Sequence, residues 1–123
     1  MKIVNADIFR TNVRKKLNKI IRRKKLSLNL EKGIFNYAIQ TAHLRNIVRK
    51  WDNKAFVMIY VDKFKGLLLN LNAKSTVKNK ELLKRLKNGE FKAHELAFMT
   101  HQELFPEKWK YLIDKKIKRD KSE

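Results

Sequence analysis

The sequence contains very few residues that interrupt helices. Its 123 residues include one proline and three glycines, while 43% of the residues are hydrophobic. Because proline and glycine commonly end helices and form tight turns, their scarcity favours a few long helices over many short strands. A chain of this length corresponds to one domain with a modest core. We therefore predict a single all-α domain.

Apolar residues recur at helical spacing in three long segments. The first segment spans about 7–25, with Asp7 as its expected N-cap. After a short link at 26–29, the second spans roughly 30–51 and the third about 54–72. The third segment has the broadest apolar face, which is typical of a central helix. The pattern predicts a three-helix bundle.

Shorter helices are expected after the third segment. A polar loop at 73–77 precedes a short helix that Asn79 caps and that ends at Asn88-Gly89. Another short helix is expected around 91–99, followed by a turn in which Thr100 and Glu103 form a capping box. These elements add short helices to the three-helix bundle.

The C-terminal part of the chain is expected to form a last helix followed by a linker. Pro106 fits the start of a C-terminal helix, in which Trp109 packs onto the bundle in preference to stacking on a nucleic-acid base. The last residues keep their charge and lose apolar content, as expected of a linker. We therefore predict an N-terminal extension at 1–6, a helical domain at 7–114 and a basic tail at 115–123.

The net charge is strongly positive. Lysine and arginine total 31 against 12 acidic residues, which gives a formal charge of +19 and a pI near 10.3. Like charges at this density repel one another in a compact protein, so the excess favours a protein with an anionic partner. Nucleic acid, an anionic membrane and an acidic protein surface are the three partner classes that this charge suggests.

Nothing in the sequence predicts a membrane-spanning helix or a secretion signal. Lys63 and Lys65 interrupt the most hydrophobic segment, and the first ten residues lack the apolar stretch of a signal peptide. We expect an intracellular protein with no membrane partner.

The residues that usually perform chemistry are absent or scattered. The chain has no cysteine, which excludes disulfides and zinc–thiolate sites. Ser27, Ser75 and Ser122 fall in predicted loops or in the tail without a base beside them. His94 and His101 do not share a predicted helix and lack a third ligand. We predict no catalytic residue, no metal site and no cofactor, so the chain is not expected to be an enzyme.

Several short motifs occur in a fixed order over residues 7–105. They are DIFRTNVRKKL at 7–17, LEKGIF at 30–35, YVDKFKGLLLNL at 60–71, NKEL at 79–82, Gly89, LAFMT at 96–100 and Glu103-Leu104. In this order and spacing they resemble the central domain of the transcript-cleavage elongation factor TFIIS. In its high lysine content, the chain resembles the TFIIS homologues carried by large DNA viruses of eukaryotes.

The resemblance implies a three-helix bundle that docks, as a monomer, on the jaw and funnel side of the largest subunit of RNA polymerase. In that family, a linker then carries a zinc ribbon into the polymerase pore, where an acidic hairpin assists cleavage of backtracked RNA. No Cys-x-x-Cys motif follows Lys121. The chain is therefore expected to be either a domain cut from a longer protein, which we favour, or a free-standing form with only the docking function. Zinc is expected only in a missing C-terminal ribbon. The expected location is the nucleus or, for a viral protein, the cytoplasmic viral factory or virion.

The resemblance also marks residues for polymerase contact. A basic pair in the family's third helix matches Lys63 and Lys65, and we add Lys74 and Lys78 in the adjoining loop. Lysine keeps the charge of arginine without its bidentate fork, so we expect a looser and more salt-sensitive contact. Gly66 replaces a serine of the family, which lowers helix propensity and would allow another backbone to approach closely.

A second basic segment consists of Arg22, Arg23, Lys24 and Lys25. We expect it at the end of the first helix, where positive charge is favourable. It is the candidate for an accessory contact with polymerase or nucleic acid. The alternative to polymerase docking is a sequence-independent nucleic-acid-binding helical module, held by neutralisation of phosphates.

Overall fold

The structure, a computed structural model, describes residues 3, 5–75, 77–108 and 110, and within these residues it contains helices and no strand. The long helices are α1 (Ala6–Ile21), α2 (Lys24–Leu44) and α3 (Lys54–Leu71). Three short helices follow, namely α4 (Leu82–Lys87), the 3-10 helix η1 (Ala93–Phe98) and α5 (His101–Leu104). The prediction of an all-α fold, a three-helix bundle with additional short helices, is confirmed.

The junction between α1 and α2 differs from the prediction. Helix α1 ends at Ile21 because Arg22 adopts the left-handed conformation, with φ of 58°. Only two residues separate α1 from α2, which begins at Lys24, so the predicted link at 26–29 is helical. Lys24 and Lys25 therefore lie in the first turn of α2, where the helix dipole disfavours positive charge. The placement of the basic segment at the end of α1 is therefore confirmed for Arg22, the C-cap of α1, and wrong for Arg23, Lys24 and Lys25.

The second helix is also shorter at its C-terminal end than predicted. Asn46 adopts a left-handed conformation with φ of 57°, and the amide of Ile47 donates to the carbonyl of Ala42 at 2.8 Å. This hydrogen bond, together with that from Asn46 to His43, forms the Schellman motif that ends helices. Residues 45–53 consequently link α2 to α3.

Local capping signals are reproduced well in the later part of the chain. The N-cap position of α4 is Glu81 and not Asn79 as predicted, but the Asn79 side chain accepts hydrogen bonds from the amides of Glu81 and Leu82 at the start of the helix. Gly89, with φ of 76°, follows the last turn of this helix. The capping box predicted for α5 is also present. At the first helix, in contrast, Asn5 provides the cap that was predicted for Asp7.

The core is formed by the facing sides of the three long helices, with η1 packed against α2 and α4 packed against α3. Its buried residues follow helical spacing in each long helix, and they include Val13, Leu17 and Ile21 of α1, Leu30, Ile34, Ala38 and Ala42 of α2, and Phe56, Tyr60, Phe64, Leu67 and Leu71 of α3. Leu82, Leu86, Leu96 and Leu104 add the short helices to the same core.

Close packing joins α2 to η1. A Cβ atom placed on Gly33 would lie only 2.8 Å from the Cα of His94, so the two backbones approach more closely than any side chain at position 33 would allow. Gly33 therefore determines how near η1 lies to the bundle.

The predicted C-terminal helix falls largely outside the described residues. Residues 106–108 are helical, whereas Trp109 and 111–123, including the predicted tail at 115–123, are not among those described. In the described part of the chain, no helix has the length and apolar character needed to cross a bilayer.

Candidate functional site

A buried carboxylate, that of Glu31, lies where the three long helices meet. Its Oε1 accepts hydrogen bonds from Nε of Arg14 at 2.7 Å and Nη2 of Arg10 at 3.1 Å. Its Oε2 accepts from Nε of Arg10 at 2.8 Å and from the Tyr60 hydroxyl at 3.0 Å. We call these four residues the Glu31 cluster. Since Glu31 has no exposed surface, its charge depends on these donors for stabilisation.

Aromatic rings pack beside the Glu31 cluster. The guanidinium carbon of Arg10 lies 3.9 Å from the centroid of the Phe35 ring, a cation–π arrangement. Trp51, in the link before α3, stacks on Phe35 and makes an edge contact with Tyr60 at a centroid distance of 5.1 Å. The indole thereby packs the link onto Tyr60 of the Glu31 cluster and onto Phe35 of α2.

The chemistry of this cluster is that of a fixed connection between helices. Burial, and then the charge of Glu31, raise the pKa of the Tyr60 hydroxyl above its usual range, so Tyr60 remains a hydrogen-bond donor at neutral pH. The four donors occupy both carboxylate oxygens of Glu31. The cluster consequently offers no free acid or base to a substrate.

Other residue types that support chemistry do not assemble in the part of the chain that the structure describes. No group of three histidine or acidic residues there has the geometry to hold a metal ion. Ser27 is buried in α2, and its hydroxyl donates to the Arg23 carbonyl at 3.0 Å, as expected of a structural serine.

The predicted pair Lys63 and Lys65 lies on two sides of α3. Lys63 is half-buried, and its Nζ is 4.1 Å from the centroid of the Tyr37 ring on α2. Lys65 is exposed and lines a groove between α1 and α3. Two positions along an α-helix differ by roughly 200° around its axis, which explains the separation. The structure does not bring this pair together.

Lys65 instead joins three lysines of α1. The groove between α1 and α3 has a volume of about 540 Å³. We call its four lysines the lysine face, namely Lys15, Lys16, Lys19 and Lys65. The apolar residues that line the same groove are Phe9, Val13, Val61 and Phe64. No acidic residue occurs among the described residues that line it, so the groove combines positive charge with an apolar floor.

The remaining polymerase-contact candidates lie elsewhere. Lys74 and Lys78 are exposed in the segment between α3 and α4, outside the groove of the lysine face. Gly66 is exposed, and a Cβ atom there would have no neighbour within 4 Å. The close backbone approach predicted at Gly66 is therefore not made by the described residues of this chain.

The accessory basic segment is divided by the helix junction. Arg23 and Lys25 line a second groove, of about 490 Å³, whereas Arg22 and Lys24 are exposed outside it. We call this the basic groove and define it by its basic residues, which are Arg23, Lys25, Lys87, Lys92 and His94. It lies between the start of α2 and the segment from the end of α4 to η1.

Comparison with known proteins decides the family. Residues 5–123 match the family model described as transcription factor S-II (TFIIS), central domain. The chain belongs to the TFIIS central-domain family. It is therefore a transcription elongation factor domain, and the resemblance found in its motifs is confirmed. No curated protein and no solved structure matches the chain.

Several motifs that resemble the TFIIS central domain contain residues of the Glu31 cluster. Arg10 and Arg14 belong to the first motif, Glu31 to the second and Tyr60 to the third. Sequence reasoning had not identified this cluster. The available signal was Glu31 itself, a charged residue next to Leu30 within an apolar stripe. A carboxylate buried at that position requires hydrogen-bond or ion-pair partners.

The lysines of α1 were also missed as candidate site residues. Lys15 and Lys19 lie four residues apart, and Lys16 lies beside them on the same side of α1. This spacing was visible in the sequence, but the proximity of Lys65 depends on how α3 is rotated against α1. Only the three-dimensional structure provides that information.

Proposed function

We propose that this TFIIS central domain attaches an elongation factor to RNA polymerase through the lysine face and performs no chemistry itself. The observation that carries the proposal is the gathering of four lysines from two helices around one groove without an acidic lining residue. Family membership supports a transcriptional partner. The positive charge of the groove supports an acidic surface on the polymerase as the feature that this domain recognises.

The charge of the lysine face is available to a partner. Among the described residues, none of its four lysines forms an ion pair within 4.0 Å. An acidic surface would gain association rate and orientation from charge complementarity, and binding would weaken as salt increases. The apolar side chains along the groove would contribute buried contact area beneath the polar rim.

The rigidity of the scaffold supports the same proposal. Lys15 and Lys16 follow directly after Arg14, which the Glu31 carboxylate holds from α2. Tyr60 connects the same carboxylate to α3, five residues before Lys65. These hydrogen bonds constrain the relative position of α1 and α3, and with it the backbone positions that carry the lysines. Such preorganisation reduces the entropy lost on association.

The finer features of the proposal follow the family. We place the partner site on the jaw and funnel side of the largest polymerase subunit and treat the domain as a monomer spanning 7–114. Zinc would belong to a ribbon outside this chain. The site of action would be the nucleus or, for a viral protein, the viral factory or virion.

A pull-down from nuclease-treated extract of the source organism tests the proposal. Immobilised chain should retain RNA polymerase after nuclease, because docking does not require nucleic acid. The double variant Lys16→Glu, Lys65→Glu should weaken retention at least about tenfold, since like charges then face the acidic partner. The matched control Lys50→Glu, Lys54→Glu changes two exposed lysines outside both grooves and should retain polymerase almost normally.

Two results would contradict polymerase docking through this face. Equal loss of polymerase with both double variants would show that only total charge matters. Loss of all polymerase from the wild-type chain after nuclease would show that nucleic acid had bridged the two proteins. Single Lys63→Glu and Lys65→Glu variants then separate the two sides of α3, and only the second should lower retention.

A further inference from the structure

The basic groove collects positive charge from three parts of the chain and shares no residue with the lysine face. Arg23 and Lys25 come from the start of α2, Lys87 from the end of α4, and Lys92 from the segment before η1. His94 adds an imidazole on the same side. Among the described residues that line the groove, none is acidic. Its charge is therefore not neutralised by its own lining.

Backbone contacts hold the walls of this groove in place. Nη1 of Arg23 donates a hydrogen bond of 3.3 Å to the carbonyl of Lys87, which joins the two sides. Gly89 turns the chain after α4 with φ of 76°, and the backbone of His94 lies against Gly33. The cationic side chains thus project from a framework whose width is set by the fold.

The floor of the groove is apolar and includes an aromatic ring. Its apolar lining residues are Leu26, Leu86, Phe91 and Ala93. Phe91 is half-buried, and the guanidinium carbon of Arg85 lies 5.3 Å from the centroid of its ring. Proteins that bind single-stranded nucleic acid combine cationic side chains with aromatic rings in this way. The phosphates of the strand pair with the cations, and its unpaired bases stack on the aromatic ring.

We propose that the basic groove binds single-stranded nucleic acid, with phosphates against Lys25 and Lys92 and a base against Phe91. A duplex would satisfy the cations but would keep its base faces stacked inside the helix. An acidic peptide would likewise satisfy the cations without using the ring. The floor of the groove therefore favours a single strand. This activity goes beyond attachment to polymerase and does not depend on it.

Fluorescence anisotropy with a labelled oligo(U) strand and the full chain tests this binding. The double variant Lys25→Gln, Lys92→Gln should lower the log–log salt slope by about 1.4, because each contact to a single strand contributes about 0.7. At about 0.1 M salt this corresponds to roughly 25-fold weaker binding than wild type. The charge-matched control Lys50→Gln, Lys54→Gln should bind much more tightly than the groove variant.

Two further comparisons separate the floor from the charge. Phe91→Leu keeps an apolar side chain but removes the ring, and it should weaken oligo(U) binding about tenfold with an unchanged salt slope. Lys16→Gln, Lys65→Gln should match the Lys50 and Lys54 control, since the lysine face is a separate surface. Circular dichroism of each variant verifies that the helices are intact.

Three results would overturn the proposal. The groove variant and the charge-matched control could bind oligo(U) equally. A duplex of the same sequence could bind more tightly than the single strand. Polyglutamate of equal charge could displace oligo(U) from wild type while Phe91→Leu changes nothing, which would point to an acidic protein partner. None of these results would alter the test of polymerase docking, which is performed after nuclease treatment.

Discussion

The Glu31 cluster and the lysine face both draw positive charge from α1, but they use it differently. Arg10 and Arg14 turn toward the bundle, where both form ion pairs with the single carboxylate of Glu31. Lys15 and Lys16, the two residues that follow Arg14, remain exposed without an ion pair among the described residues. The planar fork of arginine suits a buried carboxylate, whereas the strongly hydrated ammonium of lysine suits a solvent-exposed surface.

This difference shows why a family motif is an uncertain guide to a binding site. Arg10, Arg14, Glu31 and Tyr60 lie within the motifs that resemble the TFIIS central domain, yet their side chains are directed to one another. The proposed docking lysines are mostly outside the positions that the motif marked for polymerase contact. A motif of this kind identifies the scaffold first and the contact surface only indirectly.

The largest expected effect is the loss of the buried carboxylate. Glu31→Gln removes the negative charge that holds two guanidinium groups together, so we expect the free energy of unfolding to fall by about 3–5 kcal/mol. Urea denaturation measures the change. Glu81→Gln is a suitable control, because Glu81 is exposed and its Oε1 lies 3.8 Å from Nζ of Lys84. Loss of this exposed ion pair should lower the free energy of unfolding by less than about 1 kcal/mol. Similar values for the two variants would remove the distinction between buried and exposed charge.

A smaller effect is expected from a comparison of two helical glycines. Gly33→Ala forces its Cβ against the backbone of His94, and such overpacking should cost about 1–3 kcal/mol. Gly66→Ala enters open space on α3 and should stabilise the domain by about 0.5–1 kcal/mol through helix propensity. Thermal unfolding of both variants measures the difference in sign. A lower melting temperature for Gly66→Ala would mean that position 66 is more constrained than its surroundings indicate.

The last expected effect on stability concerns Tyr60 and its dependence on pH. Tyr60→Phe removes one donor from Glu31 and should cost about 1–2 kcal/mol near neutral pH. Because the pKa of Tyr60 is raised in the folded state, the unfolded chain loses this proton first as the pH passes about 10. The stability that Tyr60 contributes is therefore complete below pH of about 10 and declines above it.

The difference between wild type and Tyr60→Phe isolates this effect from the titration of the lysines. Urea denaturation across the alkaline range should show the advantage of wild type shrinking by up to about 1.4 kcal/mol per pH unit above pH of about 10. A constant advantage over that range would indicate that Tyr60 does not act as the buried donor of the cluster.

The helices that carry strong local signals were predictable from the sequence. Helix α3 lies close to its predicted limits, because its buried apolar residues recur at steps of three and four along the whole helix and Asn53 and Asn72 flank them. The capping box of Thr100 and Glu103 was also predictable, because the two residues lie within one helical turn of each other. Such features depend on residues close together in the sequence.

The helix junction and the groups that form the two grooves were not predictable in the same way. Arg22 takes a left-handed conformation that usually indicates glycine or asparagine, so no residue type marked the end of α1. The approach of Lys65 to α1 depends on the rotation of packed helices, and the sharing of one groove by Arg23 and Lys92 depends on the path of the chain between α4 and η1. These relations join residues far apart in sequence, and apolar periodicity does not specify them.

Lysine footprinting on the complex with purified RNA polymerase is the most direct test of the central claim, that the exposed lysines of α1 and α3 form the docking surface. Acetylation rates at each lysine would be measured by mass spectrometry with and without polymerase, in the absence of nucleic acid. We expect protection of Lys15, Lys16, Lys19 and Lys65, with Lys50 and Lys54 unchanged. Unchanged rates on the lysine face in a formed complex would contradict the account.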